Sequence, residues 1–258
     1  MKFDDLDQKM RVFETAHDLC VLPGLYMVAR LDGRGFTRLT KEIHPFEAPF
    51  DPRFRDLMVE TAEYLMGGCG FNMVYGYTES DEMSLLFGLE ENSFGRKLRK
   101  LISILAGEAS AKFSLSLGAM ACFDCRISQL PSLELAIDYF RWRNEDAHRN
   151  ALNAHCYWLL RKQGQSVGEA TAALEGLSVA DKNELLFRHG TNFNDLPLWQ
   201  KRGVGLYWQE YERPAENPVT GEKVVARRRR IHRDFELPMK DEYSAFLRKR
   251  IAERNRNF

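Results

Sequence analysis

The sequence predicts an α+β domain whose first half runs in the order β-α-β-β-α-β. Three observations lead to this prediction. The segment LYMVARLD at 25–32 is apolar and β-prone, a similar pair at 71–89 flanks a short acidic turn, and apolar residues three and four apart fill the stretches between them. This order is that of a ferredoxin-like split unit, in which the first strand of the sheet lies beside the third.

The elements of this first half have local start and stop signals. Asp51-Pro52 is an N-cap residue followed by proline at the first helical position, and Gly67-Gly68 ends that helix. Asn92-Ser93 should cap a second long helix that runs to about residue 116. The apolar segment GAMACFDCRI at 118–127 is the fourth predicted strand.

Residues 131–258 predict a helical extension with a β-hairpin, packed on the domain formed by residues 1–130. Pro131-Ser132 should begin a long helix, and Ser166 and Ser178 each stand three residues before an acidic residue, which is the spacing of a capping box. Two strands around NPVTGE and a terminal helix, PMKDEYSAFLRKRIAER, complete the extension.

Composition excludes some classes of protein. No run of about 18 apolar residues is present, and the start MKFDDLDQKM lacks the apolar stretch of a signal peptide, so we expect a cytoplasmic protein without a membrane span.

The net charge is zero, but residues 1–90 carry 9 basic and 16 acidic side chains, whereas residues 201–258 carry 15 basic and 9 acidic side chains. An acidic first third could hold metal ions, and a basic last third could meet phosphates.

The five cysteines are spread along the chain. An odd number of widely spaced cysteines indicates reduced thiols. Cys122 and Cys125 form a CxxC inside the fourth predicted strand, without a second pair at zinc spacing. Two buried thiols are the simple interpretation, and a redox or metal role is the alternative.

The acidic turn ESDE and the segment RLDGRGF carry the most specific chemistry. If the first strand pairs with the third, Asp32 lies close to Asp81 although 49 residues separate them. Two such carboxylates can bridge two Mg²⁺ ions, one of which would lower the pKa of an attacking hydroxyl while the other holds a triphosphate. Gly33 and Gly35 allow close backbone approach, so their amides could bind phosphate and the Gly33 carbonyl could bind metal. A strand end beside a polar hairpin tip is the alternative.

Three further groups are candidates for contacts with a nucleotide or RNA. One is a set of basic side chains that could neutralise phosphates: Arg30, Arg96, Lys97, Lys100, Arg126 and Lys182. His148 and His155 share a face of the long predicted helix and could form a metal or acid–base pair. The four arginines at 227–230 could contact RNA phosphates. Solvated charges, ordinary histidines and a charged strand edge are the respective alternatives.

These residues resemble a known family, the tRNA-histidine guanylyltransferases and their bacterial and archaeal relatives, which are 3′-to-5′ polymerases. The matching segments stand in family order over roughly residues 1–210: RLDGRGFTRL, YGYTESDEMSLLF, FDCRI, DYFRWRNEDAHRN, ADKNELLF and LPLWQKRGVGLYWQ. The resemblance implies a polymerase palm of ferredoxin topology, two Mg²⁺ ions, GTP and ATP as substrates, tRNA as acceptor and a homotetramer.

The resemblance also implies roles for individual residues. The metal ligands would be Asp32, the Gly33 carbonyl and Asp81, and Glu82 would be a catalytic or auxiliary carboxylate. His148 and Asn150 would serve tRNA binding or activation. Nucleotide contacts would come from Asp32, Gly33, Arg34, Gly35, Phe36, Thr37, Ser80, Asp81, Lys97, Lys100, Arg126 and Lys182.

One segment departs from the pattern of eukaryotic members. HRNALNA at 148–154 keeps only part of their His-Ile-Asn-Asn-Leu-Tyr-Asn. The departure favours the bacterial type, whose relatives prefer templated repair of truncated tRNA 5′ ends over strict guanylylation of tRNA-His. Two other functions stay open, a nucleotidyl cyclase-like enzyme with the same carboxylates and an RNA-binding protein with an inactive palm.

Overall fold

The computed structural model describes residues 2–216 and 223–255, the last two of them as backbone only. Its α-helices are Phe3–Thr15 (α1), Phe36–Arg38 (α2), Pro52–Gly68 (α3), Leu98–Leu117 (α4), Leu133–Lys162 (α5), Val167–Leu174 (α6), Val179–Arg188 (α7), Leu198–Arg202 (α8) and Lys240–Asn255 (α9). Its strands are Tyr26–Arg34 (β1), Met73–Glu79 (β2), Glu82–Phe87 (β3), Cys122–Leu130 (β4), Val204–Glu216 (β5) and Lys223–Asp234 (β6). A π-helical turn, Leu39–Ile43, continues α2.

The described strands form one antiparallel sheet in the order β4-β1-β3-β2-β5-β6. The first strand therefore lies beside the third, as the element order predicted. The register sets Asp32 opposite Glu82 on one side of β1 and opposite Asp124 on the other. Residues 204–207 of β5 pair with β2, so the predicted C-terminal hairpin extends the sheet.

The two faces of the sheet contribute to two apolar cores. Ala29 and Leu31 belong to the core that contains α3 and α4, whereas Val28 belongs to the core that contains α5 and α9. Because side chains alternate along a strand, Arg30 and Asp32 share the face of Val28. The acidic end of β1 therefore opens on the α5 side of the sheet.

Helices α5, α6 and α7 of the extension begin where the sequence predicted. The Ser132 hydroxyl accepts the Leu135 N–H and caps α5, and the capping boxes at Ser166 and Ser178 are both formed. The distal half of α5 packs with α6 and α7 in a third apolar cluster. The predicted hairpin turn at 217–222 lies outside the described residues. No helix in the described part of the chain is long and apolar enough to cross a membrane.

The predicted start of α4 is wrong. Ser93–Arg96 is a 3-10 turn whose last three residues have φ of 56°, 60° and 58°, and the α-helix begins only at Leu98. Left-handed backbone angles cannot continue a right-handed helix. Arg96 itself is buried and donates to the Leu25 carbonyl at 2.6 Å, which makes it a structural group and not a surface phosphate ligand.

Candidate active site

The C-terminal end of β1 lies next to the β2–β3 turn, at one end of the interior strands of the sheet. Ser80 and Asp81 form this two-residue turn, and the Gly33 N–H donates to the Asp81 carbonyl at 3.0 Å. Ser80 has a φ of 48°, a conformation that non-glycine residues adopt rarely, and its hydroxyl donates to Asp81 Oδ1 at 3.2 Å. Strained backbone of this kind concentrates at functional sites. The turn is thereby held next to Asp32.

Asp32 and Asp81 are neighbouring carboxyl groups, and it is unfavourable for both to be ionised without a cation. Burial raises the pKa of both carboxyls, and the neighbouring charges of Asp81 and Glu82 raise that of Asp32 further. Arg30 opposes this shift, since its Nη2 lies 3.7 Å from Asp32 Oδ2. A cation placed between the two aspartates would favour the ionised form of both.

Gly33 leaves room for a core aromatic ring. A Cβ at this position would lie 2.5 Å from Cγ of Phe36. The Phe36 side chain is buried and packs edge-on against Phe54 and Phe123, so it has little space to move. Phe36, predicted as a nucleotide contact, is a core residue that anchors the loop after β1, and it also lines a cavity beside the β2–β3 turn. Gly35, with φ of 73°, turns the chain into the following helix.

The Glu82 carboxylate forms ion pairs with two arginines. Its Oε1 accepts from Arg30 Nη2, and its Oε2 accepts from Arg143 Nη2 at 2.6 Å. Arg143 on α5 is only 5% exposed and also lies 3.7 Å from Glu79. Glu82 is therefore an ion-paired carboxylate behind the turn, which fits the auxiliary role and not direct contact with a reacting group. Arg30, predicted as a phosphate contact, is engaged in the same way.

A cavity of about 200 Å³ opens beside the turn. Its walls come from the loop before α3, from the turn itself, and from aromatic side chains on α5 and α8. Typical ligand pockets measure about 300 Å³ or more, so this cavity suits one flat ring system and not a whole nucleotide. No sequence motif predicted it. Residues around it include Thr37, Phe46, Phe50, Ser80, Asp81, Trp158 and Trp199.

Asp51 holds the loop that forms one side of this cavity. Its carboxylate accepts the backbone N–H of Glu47 at 2.8 Å and of Arg53 at 2.7 Å. Hydrogen bonds from the Arg53 side chain hold the pKa of Asp51 at about 2. The predicted N-cap of α3 is confirmed, and the same carboxylate also fixes the shape of the cavity loop.

The structure separates Lys97 and Lys100 from Asp32 within one chain. Both lie at the start of α4, next to the segment that precedes β1. Asp32 lies at the other end of β1, roughly 20 Å away at about 3.3 Å per residue. Lys97 Nζ is 2.6 Å from Asp18 Oδ2. Arg99 and Lys97 together hold the pKa of Asp18 at about 2. Asp18 is therefore an anionic partner of the cationic start of α4 within the chain.

Of the two remaining members of the basic set, Arg126 lies near Asp32 in the sheet and Lys182 does not. Arg126 stands opposite Arg30 in the register of β1 and β4, on the face of Asp32, and its guanidinium is 3.7 Å from Asp124. Lys182 lies on α7, where its carbonyl accepts the Cys156 thiol at 3.3 Å. Packing of α7 on the distal half of α5 places Lys182 in the helical cluster and not on the sheet.

The predicted residues of α5 also lie in the helical part. The rings of His148 and His155 both contact Phe193, with centroid distances of 5.3 and 6.1 Å. Burial lowers the pKa of both histidines, which favours neutral rings in an apolar setting over a charged acid–base pair. Asn150 donates to Asp146 Oδ2 at 3.3 Å and is exposed for contact with a partner.

The CxxC is two separate thiols. Residues three apart on a strand point to opposite faces, so Cys122 and Cys125 do not face each other. Cys122 is exposed, whereas Cys125 packs against the core and burial raises its pKa to about 12. Of the two predicted buried thiols, Cys122 is therefore exposed and Cys125 is partly buried.

The oxygen donors at the end of β1 fit a divalent cation that also binds phosphate. Among residues 2–216 and 223–255, no group of three or more His, Cys, Asp or Glu side chains forms a closed metal site. Asp32 and Asp81 offer two carboxylates, and Gly33 offers a carbonyl. Mg²⁺ is usually held by one or two carboxylates together with substrate phosphates and water, so a set of this size fits it.

The fold and the site define an α+β protein with paired carboxylates beside a ring-sized cavity at one end of an antiparallel sheet. Family models extend this assignment. The model described as tRNAHis guanylyltransferase matches residues 7–131, and the one described as Thg1 C terminal domain matches residues 134–244. The chain therefore belongs to the tRNAHis guanylyltransferase family.

Individual relatives are similar over most of the chain. The probable tRNA(His) guanylyltransferase of Mus musculus is 33% identical over 240 residues, which are 86% of this chain and 78% of the relative. The tRNA(His) guanylyltransferase of Schizosaccharomyces pombe is 33% identical over 210 residues, 75% of this chain and 80% of that protein. A bacterial tRNA(His) guanylyltransferase (Thg1)-like protein in complex with GTP superposes with a TM-score of 0.73 at 28% identity, covering 96% of this chain and 99% of the other.

Proposed function

We propose that the protein adds GTP, or other nucleoside triphosphates, to the 5′ end of tRNA in the 3′-to-5′ direction, either guanylylating tRNA-His or repairing truncated 5′ ends on a template. The observation that carries this proposal is the placement of Asp32 beside Asp81, where β1 ends next to the β2–β3 turn and a ring-sized cavity. The names of the mouse and fission-yeast relatives, and the GTP and ATP bound to bacterial relatives, support it.

Strands β1 to β4 would form a polymerase palm. The strand order β4-β1-β3-β2 supports this, because a ferredoxin-like split unit also sets its first strand beside its third. Residues 1–130 would be this catalytic domain, with 131–258 as a tRNA-binding extension. We also propose that the chain assembles as a homotetramer in the cytoplasm, which light scattering and cell fractionation would measure.

The carboxylates at the end of β1 would organise the reaction. Asp32, Asp81 and the Gly33 carbonyl would hold two Mg²⁺ ions, which when bound acidify the attacking hydroxyl and neutralise the triphosphate. On a 5′-monophosphorylated tRNA, ATP would first adenylylate the 5′ phosphate and release pyrophosphate. The 3′-hydroxyl oxygen of the incoming nucleotide would then attack the 5′ phosphorus and lose its proton to solvent, so that one P–O bond forms and the bond to AMP breaks. On a 5′-triphosphorylated tRNA the same attack would break the bond to pyrophosphate. The two aspartates would orient both reactants at the end of β1.

The cavity would take the base of a bound nucleotide. Its aromatic walls match the flat face of a purine. Ser80 and Asp81 line the cavity, and Asp81 also belongs to the carboxylate pair, so the two features adjoin. A triphosphate extending from the cavity would pass the backbone at 35–37. The first amides of a helical segment have no acceptor within the helix, so they can donate to phosphate oxygens.

The ribbon formed by β5 and β6 would contact the RNA. Beyond residue 207, β5 no longer pairs with β2, and β5 and β6 continue as a two-stranded ribbon. Most described side chains on both faces of this ribbon are exposed. The cross-strand register places Glu210 opposite Arg229 and Glu212 opposite Arg227 on one face, which we call the paired face. Arg227 lies 3.7 Å from Glu212 there.

The opposite face of the ribbon is cationic. Alternation places Arg213, Arg228 and Arg230 together on it, with Gln209 and Tyr211. Beyond the pair formed by Tyr207 and His232, the described residues of this face include no carboxylate. The Arg230 guanidinium stacks over the Tyr211 ring at 5.6 Å. Basic groups interleaved with an aromatic ring suit a phosphate backbone and its bases. The three arginines define the cationic face.

An addition assay tests the proposed reaction. Wild-type protein, Mg²⁺ and labelled GTP, with and without ATP, would be combined with intact and 5′-truncated tRNA-His, and Asp81→Asn would serve as the control. We expect a longer tRNA with the wild type and none with the variant. No extension by folded wild-type protein under any condition would refute the proposal. A cyclic nucleotide formed without RNA would favour the cyclase-like alternative, and RNA binding without nucleotide turnover would favour an inactive palm.

A further inference from the structure

Arg143 reaches from α5 to the acidic turn. Its Nη2 lies 2.6 Å from Glu82 Oε2 and 3.7 Å from Glu79 Oε1, while its Nη1 lies 3.2 Å from Asp146 Oδ2. The side chain is 5% exposed. A buried guanidinium is costly to desolvate, and it is stable only when its carboxylate partners are held in place. These ion pairs therefore tie α5 to both strands that flank the turn.

The same series of ion pairs continues to Asp32. Glu82 also accepts from Arg30 Nη2, and this nitrogen lies 3.7 Å from Asp32 Oδ2. Glu82 and Asp32 stand directly opposite each other in the register of β3 and β1. Arg30 is thus shared between two carboxylates, and Glu82 is held between two guanidinium groups.

We propose that Arg143 is a positioning residue, which through Glu82 and Arg30 holds the Asp32 carboxylate in the orientation that metal binding and transfer require. This inference rests on the proposed role of Asp32. Without Arg143, Glu82 would keep Arg30 as its partner and draw that guanidinium away from Asp32. Groups that orient a metal-binding carboxylate typically contribute about 10- to 100-fold to metal affinity or activity.

Arg143→Met tests this role, with Arg141→Met as a matched control. Arg141 lies on the same helix and forms surface ion pairs with Glu145 at 2.8 Å and Asp241 at 2.7 Å. We expect Arg143→Met to lower kcat for GTP addition by about 10- to 100-fold. Because the aromatic walls of the cavity are untouched, KM for GTP should change little, and Arg143→Lys should restore part of kcat. Arg141→Met should change neither constant.

Mn²⁺ binding to the protein, followed by electron paramagnetic resonance, gives a readout that needs no transfer reaction. Arg143→Met should weaken it about 10-fold or more, and Arg141→Met should not. Equal Mn²⁺ affinity in the two variants would overturn the inference. If wild-type protein binds Mn²⁺ but adds no nucleotide, the proposed function fails and the comparison of variants still decides the role of Arg143.

A double variant covers the case in which Arg143→Met does not fold. Arg143→Met with Glu82→Gln removes both charges of the pair, so no carboxylate of Glu82 is left buried without its partner. Because Arg143 acts through Glu82, the double variant should have the same kcat as Glu82→Gln alone. A kcat lower by the product of the two single effects would contradict a shared path.

Discussion

Removal of the cationic face of the β5–β6 ribbon should weaken tRNA binding in a salt-dependent way. Each arginine that neutralises a phosphate contributes about 0.9 to the slope of log affinity against log salt. Loss of three such contacts should reduce the slope by roughly 2 to 3, which corresponds to about 100-fold weaker binding at 0.15 M salt. The perturbation is a triple change: Arg213→Gln, Arg228→Gln and Arg230→Gln.

A second triple variant on the paired face controls for the loss of net charge. Its cations stand opposite glutamates, so their removal should cost less than about 10-fold and leave most of the salt slope intact. Fluorescence anisotropy with labelled tRNA between 50 and 300 mM salt measures both variants. Equal affinities and equal slopes for the two triples would refute the assignment of the RNA to one face. The control changes are Lys223→Gln, Arg227→Gln and Arg229→Gln.

Three further perturbations follow from packing and ionisation. Gly33→Ala should destabilise the fold by about 1–3 kcal/mol, because its Cβ meets a buried ring, whereas Gly107→Ala in open space on α4 should be neutral or stabilising. Calorimetry would measure both, and equal melting temperatures would contradict this. At pH 8 iodoacetamide should modify Cys122 well before Cys125, whose pKa of about 12 leaves roughly one thiol in 10⁴ ionised. Equal rates in mass spectra would be inconsistent with that burial. Because burial lowers the pKa of His155, the unfolded state binds more protons below about pH 6.5, and stability should fall as pH drops through that range. Denaturant titrations should show a weaker pH dependence for His155→Phe, and an unchanged dependence would exclude this source.

The sequence predicted the elements with strong local signals and the pairing that follows from their order. The Asp51 cap and the capping boxes at Ser166 and Ser178 form because their side chains bond to nearby backbone. The neighbourhood of Asp32 and Asp81 followed from topology alone, since the split β-α-β-β-α-β unit places the first strand beside the third.

Features that depend on contacts distant in sequence could not be predicted in the same way. Asp18 forms an ion pair with Lys97 at the start of α4, although it lies 79 residues earlier in the chain. No local sequence pattern reveals that pair. Arg143 meets Glu82 across 61 residues, so no local pattern reveals the ion pair that engages Glu82. The cavity is enclosed by aromatic residues of helices whose packing on the sheet is set by tertiary contacts.

The most direct test of the central claim follows radiolabelled GTP into 5′-triphosphorylated tRNA-His that lacks its first nucleotide. The placement of Asp32 beside Asp81 predicts label at the 5′ end of the tRNA, an equal amount of released pyrophosphate, and loss of both products in Asp32→Asn. Label at the 3′ end, or 5′ labelling by Asp32→Asn at the wild-type rate, would contradict the role of this carboxylate pair.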